Sequence, residues 1–118
     1  MAGTIVADTI QDGAGNSTAM DNAIYGSAKA WVNFNGVTTA TIRGSFNISS
    51  VTRTGTGQYT INFTTSMVDA NYSLVGTTTN DSRTLSINSQ ATSNCTVRTT
   101  NASSALEDES IVCLAIFR

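Results

Sequence analysis

The sequence predicts an all-β fold, namely an antiparallel β-sandwich of about seven to eight strands, of Greek-key or jelly-roll type, with an extended N-terminal arm. Three observations predict it. Only 12% of the residues are charged although 40% are hydrophobic, and the polar share is mostly Thr, Ser and Asn, which favour strands and turns. Apolar and polar residues alternate from Ala30 onward, as in a strand with one buried face. Clusters of Gly, Asn, Asp and Ser interrupt this alternation at intervals of about 8–12 residues, as in sandwiches and barrels.

The length of 118 residues indicates one domain, which we divide into an arm at 1–29 and a sandwich at 30–118. The arm contains few large side chains and little periodicity, although Thr4 to Ile10 could form one strand. An isolated segment of this kind cannot bury enough apolar area to order itself. We therefore expect it to become ordered against a neighbouring subunit. The alternative is an ordinary first strand of the same sheet.

The predicted strands follow in chain order, each with one inward face. The last run, 111–117, is apolar at nearly every position, which predicts a strand in the middle of a sheet or covered on both faces. The inward residues of the earlier strands are Ala30, Val32 and Phe34; Ile42, Gly44, Phe46 and Ile48; Tyr59, Ile61 and Phe63; Tyr72, Leu74 and Gly76; Leu85 and Ile87; and Cys95, Val97 and Thr99.

Aromatic residues are the candidate contact residues. Trp31 lies on the opposite strand face from Val32, so it either stacks on a sugar or a neighbouring chain or packs in a second core layer. Tyr25 and Tyr72 have the same alternatives, and we treat all three as candidate surface or subunit-contact residues. Tyr59 is expected in the core because it has the same parity as the buried positions of its strand.

The chain lacks the residues that most catalytic sites use. It has no histidine, which removes Ser-His-Asp and Cys-His sites and the commonest metal ligand. Carboxylates cluster only at Glu107, Asp108 and Glu109, which form either a cation site or a solvated loop. We therefore predict no enzyme activity, no cofactor and no metal.

Cys95 and Cys113 are the only two cysteines. The first residues lack the basic and apolar stretches of a secretory signal, so we expect synthesis in the cytosol and free, buried thiols rather than a disulfide. A net charge of −2 gives no electrostatic basis for binding nucleic acid. No run of eighteen apolar residues is present, so membrane insertion is not expected.

Four blocks of sequence carry a resemblance to a known family. They are GSAKAWVNFNG at 26–36, IRGSFNISSV at 42–51, GTGQYTINFT at 55–64 and DANYSLVG at 69–76. Their order resembles a domain found near the C-termini of bacteriophage tail fibre proteins. The resemblance covers 26–76, and the remainder is similar only in general character.

The resemblance implies a structural protein on the virion surface, usually trimeric, that takes part in attachment to the host and is released by lysis. The expected partners are copies of the same chain, other virion proteins through the arm, and a glycan of the host surface. Two alternatives remain open. One is a head decoration protein of the virion, and the other is a bacterial carbohydrate-binding or adhesin-like module.

Overall fold

The computed structural model describes residues 2–118, so Met1 of the predicted arm lies outside the described residues. The elements in chain order are β1 (Thr9–Gln11), β2 (Ser17–Ala19), α1 (Met20–Gly26), β3 (Ala28–Asn35), β4 (Thr41–Phe46), β5 (Ile48–Gly55), β6 (Gln58–Phe63), β7 (Ser73–Thr78), β8 (Thr84–Gln90), β9 (Asn94–Thr100) and β10 (Val112–Phe117).

Eight of these strands form two packed antiparallel sheets. The first sheet has the order β4-β3-β10-β7 and the second has the order β5-β6-β9-β8. The last two strands, β9 and β10, each enter a sheet between two earlier strands. The predicted all-β sandwich is therefore confirmed, as is the central position of the last strand.

Period-two alternation correctly predicts the inward faces of β3, β6 and β9. Every second residue of these strands is buried between the sheets, and the intervening residues are more exposed. Phe34 of the first sheet meets Tyr59 of the second edge to face, with ring centroids 5.0 Å apart. Full burial of a Val, Ile or Phe side chain contributes about 1.5–3 kcal/mol. The buried hydrophobic core consists of Ala30, Val32, Phe34, Tyr59, Ile61, Phe63, Met67, Tyr72, Cys95, Val97, Val112, Leu114 and Ile116.

Strand β4 contains a β-bulge that overturns two predicted inward residues, Gly44 and Phe46. Asn33 is opposite Gly44 but Phe34 is opposite Ile42, so Arg43 is an extra residue in β4. A bulge of one residue reverses the face on which the following side chains emerge. Phe46, predicted to be inward, is therefore 54% exposed on the outer face.

A corner at Asn47 separates β4 from β5, which the sequence pattern had treated as one continuous run. Asn47 has a left-handed backbone with φ of 57°, a conformation that Asn tolerates better than most residues. Its side-chain amide donates to the carbonyls of Lys29 and Thr65 at 3.1 and 3.0 Å, and its oxygen accepts from the Thr65 amide at 2.7 Å. These bonds fix the point at which the chain crosses to the second sheet.

The arm differs in detail from the predicted extended segment. A hairpin of β1 and β2 is followed by α1, and the contacts of α1 with other elements are mainly with this hairpin. The predicted strand from Thr4 to Ile10 is correct only at its end, because only Thr9–Gln11 pairs as a strand. The radius of gyration is 16.6 Å, against about 13–14 Å for a compact chain of this length. The molecule is therefore elongated.

The seven-residue α1 is the single helix within 2–118. No helix in this part of the chain has the length and hydropathy needed to cross a membrane.

Candidate functional site

A row of apolar side chains crosses the outer face of the first sheet. The strand register aligns Phe46, Trp31, Ala115 and Val75 across all four strands. Phe46, Trp31 and Val75 are 54%, 43% and 56% exposed. We call these four residues the apolar stripe. Exposed apolar residues are common when scattered singly, whereas a contiguous row marks a surface for interaction.

A shallow depression of about 390 Å³ accompanies the apolar stripe. Its floor includes two small residues of β10, namely Ala115, which lies between Trp31 and Val75, and Cys113, which lies between Asn33 and Thr77. Arg43 donates a 3.4 Å hydrogen bond to Asn33, which faces outward in the neighbouring row. Arg43 forms no ion pair within residues 2–118. The face is therefore apolar in the middle, with one uncompensated positive charge beside it.

The outer face of the second sheet has a different character. Thr52, Thr60, Thr96 and Ser89 align across its four strands. Gln58 and Asn62 extend this surface, which we call the hydroxyl face. It offers hydrogen-bond donors and acceptors and little apolar area, so the two outer surfaces of the sandwich suit different partners.

The predicted contact residues occupy three different environments. Trp31 belongs to the apolar stripe, with its ring over Gly44 rather than in a second core layer. Tyr25 is 63% exposed on α1. Subunit contact by these two residues stays a prediction.

Tyr72 is wrong as a surface residue, because it is only 5% exposed. Its ring packs edge to face against Phe63, with centroids 5.9 Å apart. Its hydroxyl lies 3.1 Å from the Ala91 carbonyl, to which it donates. Burial raises the pKa of Tyr72 to about 12. The residue just precedes β7, where the chain passes between the sheets. The inward parity that alternation gives it is therefore correct, and its assignment as a contact residue is not.

The acidic loop at 107–109 is neither a cation site nor a solvated loop, which corrects both sequence interpretations. Arg83 pairs with Glu107 at 2.9 Å and with Glu109 at 2.7 Å, and Arg53 pairs with Asp108 at 2.9 Å. Glu109 is 1% exposed. Within 2–118 no group of three or more acidic or cysteine side chains converges as metal ligands would. The carboxylates therefore hold the loop to the sandwich.

Asp108 is the best-connected member of this loop. It accepts from the amide of Gly57 at 2.8 Å and from Arg53 Nε at 3.0 Å. Its carboxylate also lies 3.2 Å from the hydroxyl of Tyr59. Burial disfavours the charged carboxylate, but the hydrogen bonds from Arg53 and Gly57 outweigh it and lower the pKa of Asp108. Burial raises the pKa of Tyr59. Sequence reasoning missed this network because its basic partners lie more than twenty residues away along the chain.

The two cysteines point to opposite sides of their sheets. Cys95 is fully buried in the core, and burial raises its pKa to about 12. Cys113 is free and half-buried on the outer face, opposite Asn33 and Thr77. The predicted free thiols are confirmed, and the predicted burial is correct only for Cys95. Val112, Leu114 and Ile116 of β10 are buried, so the intervening Cys113 faces the outer side of the sheet.

The arm exposes a second apolar surface. Ile5, Val6 and Tyr25 are 86%, 93% and 63% exposed, and Ile10 and Ile24 are nearly half exposed. A groove of about 620 Å³ runs between hairpin and helix. The arm also contains three aspartates and no basic residue before Lys29. The arm therefore combines exposed apolar side chains with a net negative charge.

No protein-family model matches this chain, and comparison with curated proteins and with solved structures gives no significant match.

Proposed function

We propose that this protein is a structural component of a bacteriophage virion, a small tail-fibre-like appendage that assembles as a homotrimer and takes part in attachment to the host surface. The observation that carries the proposal is the division of the chain into a self-sufficient sandwich and an arm whose apolar side chains face solvent. The buried core consists entirely of residues from Ala30 to Ile116. The arm thus adds nothing to that core, and its exposed Ile5, Val6 and Tyr25 favour contact with another chain.

The positions of the four resembling blocks support a shared fold. Together they span β3 to β7, which form the first half of the sandwich. They include Asn47 at the crossing between sheets and Gly57, whose φ is 61°. They also include Tyr59, which joins the core to the acidic loop. The resemblance therefore involves residues that determine chain path and core, which is what a common structural module requires.

Peptide mass spectrometry of purified particles tests the virion location. We expect the protein to co-purify with particles after density-gradient centrifugation and to remain after washing in high salt. Copies in the tens per particle would support a tail appendage, whereas a hundred or more would favour head decoration instead. Absence from the washed particles would refute the virion location.

Native mass spectrometry of the recombinant chain at micromolar concentration tests the assembly. Three chains of 12.3 kDa give a trimer of about 37 kDa. A monomer as the only species would contradict the assembly part of the proposal. It would leave the particle measurement to decide the virion part.

The hydroxyl face supports a second candidate, an adhesin-like module that binds a neutral glycan. Its row of Thr52, Thr60 and Thr96 offers hydroxyl groups across three strands. Glycan-array binding by the isolated chain, weakened by Thr60→Val but not by Val75→Thr on the opposite surface, would favour this candidate. Absence of saturable binding across neutral glycans would remove it.

A further inference from the structure

We infer that the arm of one copy docks on the apolar stripe of a second copy, so that the stripe is the subunit contact and the hydroxyl face stays in solvent. This inference rests on the self-assembly part of the proposed function. It commits to one occupant for the stripe, the segment 2–27 of a neighbouring chain.

The two surfaces are complementary in polarity. The stripe presents Trp31, Phe46 and Val75 around a shallow depression floored by small residues. The arm presents bulky aliphatic side chains, including Ile10 and Ile24, along its groove. Each surface exposes apolar area that its own chain leaves uncovered, and burying such area drives association.

The two surfaces are also complementary in charge. Asp8, Asp12 and Asp21 give the stretch 2–28 a charge of −3, since it contains no Lys or Arg. None of the three forms an ion pair within the described residues, and neither does Arg43 beside the stripe. An acidic arm approaching Arg43 gains attraction, whereas two copies of the same face would place two Arg43 side chains in one interface. Arg98 on the hydroxyl face is also exposed and forms no ion pair within residues 2–118, so it is the uncovered apolar area that makes the stripe the better site for the arm.

Area favours a contact between arm and stripe over a pairing of two like faces. Strands of six residues are about 20 Å long and four of them about 19 Å wide, so the outer face covers roughly 400 Å². A stable interface buries about 800 Å² per partner. A dimer of like faces would bury the face once in each copy. In a ring, each copy gives its arm to one neighbour and its stripe to the other. Each single contact stays small, but every copy takes part in two of them, so the area buried per copy is about twice that of a like-face dimer.

An arm-to-stripe contact joins different surfaces of the two chains, which makes it heterologous. Heterologous contacts close into rings when the rotation between subunits allows. A ring of three would produce the proposed trimer and explain why arm and stripe occur in one chain.

Charge substitutions in the full-length chain test the contact. Val75→Asp on edge strand β7 and Ile24→Asp on α1 alter exposed side chains outside the core. Thr52→Asp on edge strand β5 is the matched control, since it places the same charge on an exposed residue of the hydroxyl face. We expect Val75→Asp and Ile24→Asp each to weaken association at least about tenfold, measured by analytical ultracentrifugation. The control should assemble like the unaltered chain. Circular dichroism confirms that each variant is folded.

Disulfide trapping identifies which surfaces meet. Chains carrying Ile10→Cys or Ile24→Cys, each with Cys113→Ser, are mixed with unaltered chains and oxidised. We expect an inter-chain bond to native Cys113 from at least one arm position, because Cys113 lies on the floor beside the stripe. Cys95 is buried and does not compete. Thr52→Cys with Cys113→Ser should not cross-link.

The outcomes separate this inference from the proposed function. An oligomer that resists Val75→Asp and Ile24→Asp but dissociates with Thr52→Asp overturns the location and leaves self-assembly standing. Linkage only between two Cys113 residues overturns it in favour of paired faces, and absence of arm linkage from an intact oligomer overturns it as well. A monomeric unaltered chain removes both the contact and the trimer, whereas the virion location is judged on particles alone.

Discussion

Arg83→Met should be among the most destabilising single substitutions in this protein. Nε of Arg83 lies 2.7 Å from Oε1 of Glu109, which is 1% exposed, without the alignment of a good hydrogen bond. Asn80 donates to the other carboxylate oxygen at 2.9 Å. Methionine retains much of the apolar stem but removes the charge, so a buried carboxylate loses its cation.

Loss of one partner from a buried ion pair costs about 3–5 kcal/mol. The Arg83 side chain is 20% exposed and Asn80 remains, so we expect the lower end, about 3 kcal/mol. The free energy of unfolding of a domain of this size is about 5–15 kcal/mol. The midpoint of thermal unfolding should therefore fall by about 10–15 °C.

Urea unfolding at pH 7, followed by circular dichroism, measures the loss. Arg98→Met is the matched control, because Arg98 is exposed and forms no ion pair within residues 2–118. The free energy of unfolding of this control should stay within about 0.5 kcal/mol of that of the unaltered chain. Arg83→Met combined with Glu109→Gln should recover a large part of the stability, because the stranded charge is gone. A loss below about 1 kcal/mol, or a double variant no more stable than Arg83→Met, would refute the reasoning.

Three further predictions concern single positions. Gly57→Ala should lower the free energy of unfolding by more than about 2 kcal/mol, because φ of Gly57 is 61° and an added Cβ would lie 2.5 Å from a backbone oxygen. A free energy from urea unfolding that stays within about 0.5 kcal/mol of the unaltered chain would contradict this. Hydrogen bonds from Arg118 lower the pKa of Asp69 to about 2, so its stabilising contribution should be present above pH ~4 and lost as pH falls towards ~2; Arg118→Met should flatten that part of the pH profile of thermal unfolding. In a thiol-reagent assay of the dissociated Val75→Asp chain, in which no neighbouring arm covers the stripe, Cys113 should react while Cys95 reacts only on unfolding. Rapid labelling of both thiols in that folded chain would be inconsistent with the fold.

Sequence reasoning was most accurate for strands in which every second residue packs into the hydrophobic core. Ala30, Val32 and Phe34, and their counterparts in β6 and β9, were predictable because apolar burial dominates there. Phe46 was mispredicted because a bulge depends on pairing with the neighbouring strand, which leaves no local mark in the sequence. Alternation gave Tyr72 inward parity, but it was also treated as a contact residue because the sequence does not show that its ring packs against Phe63 of the other sheet.

The candidate surfaces were predictable only in part. Trp31 was recognised because it lies between two buried neighbours, which puts it on the outer face. The rest of the apolar stripe required the strand order, since Val75 and Ala115 approach Trp31 only through pairing across β10. The acidic loop was misinterpreted because long-range ion pairs are invisible to local pattern.

The extra residue at Arg43 makes the polarity of the first sheet's exterior sensitive to chain length as well as composition. Removing that single residue would restore regular pairing in β4 and leave Phe46 opposite Trp31 on the outer face. The exterior would then keep its aromatic rings but lose the positive charge beside them. Relatives that differ by one deletion at this place would therefore share the same interior and the same rings yet attract neighbours of different charge.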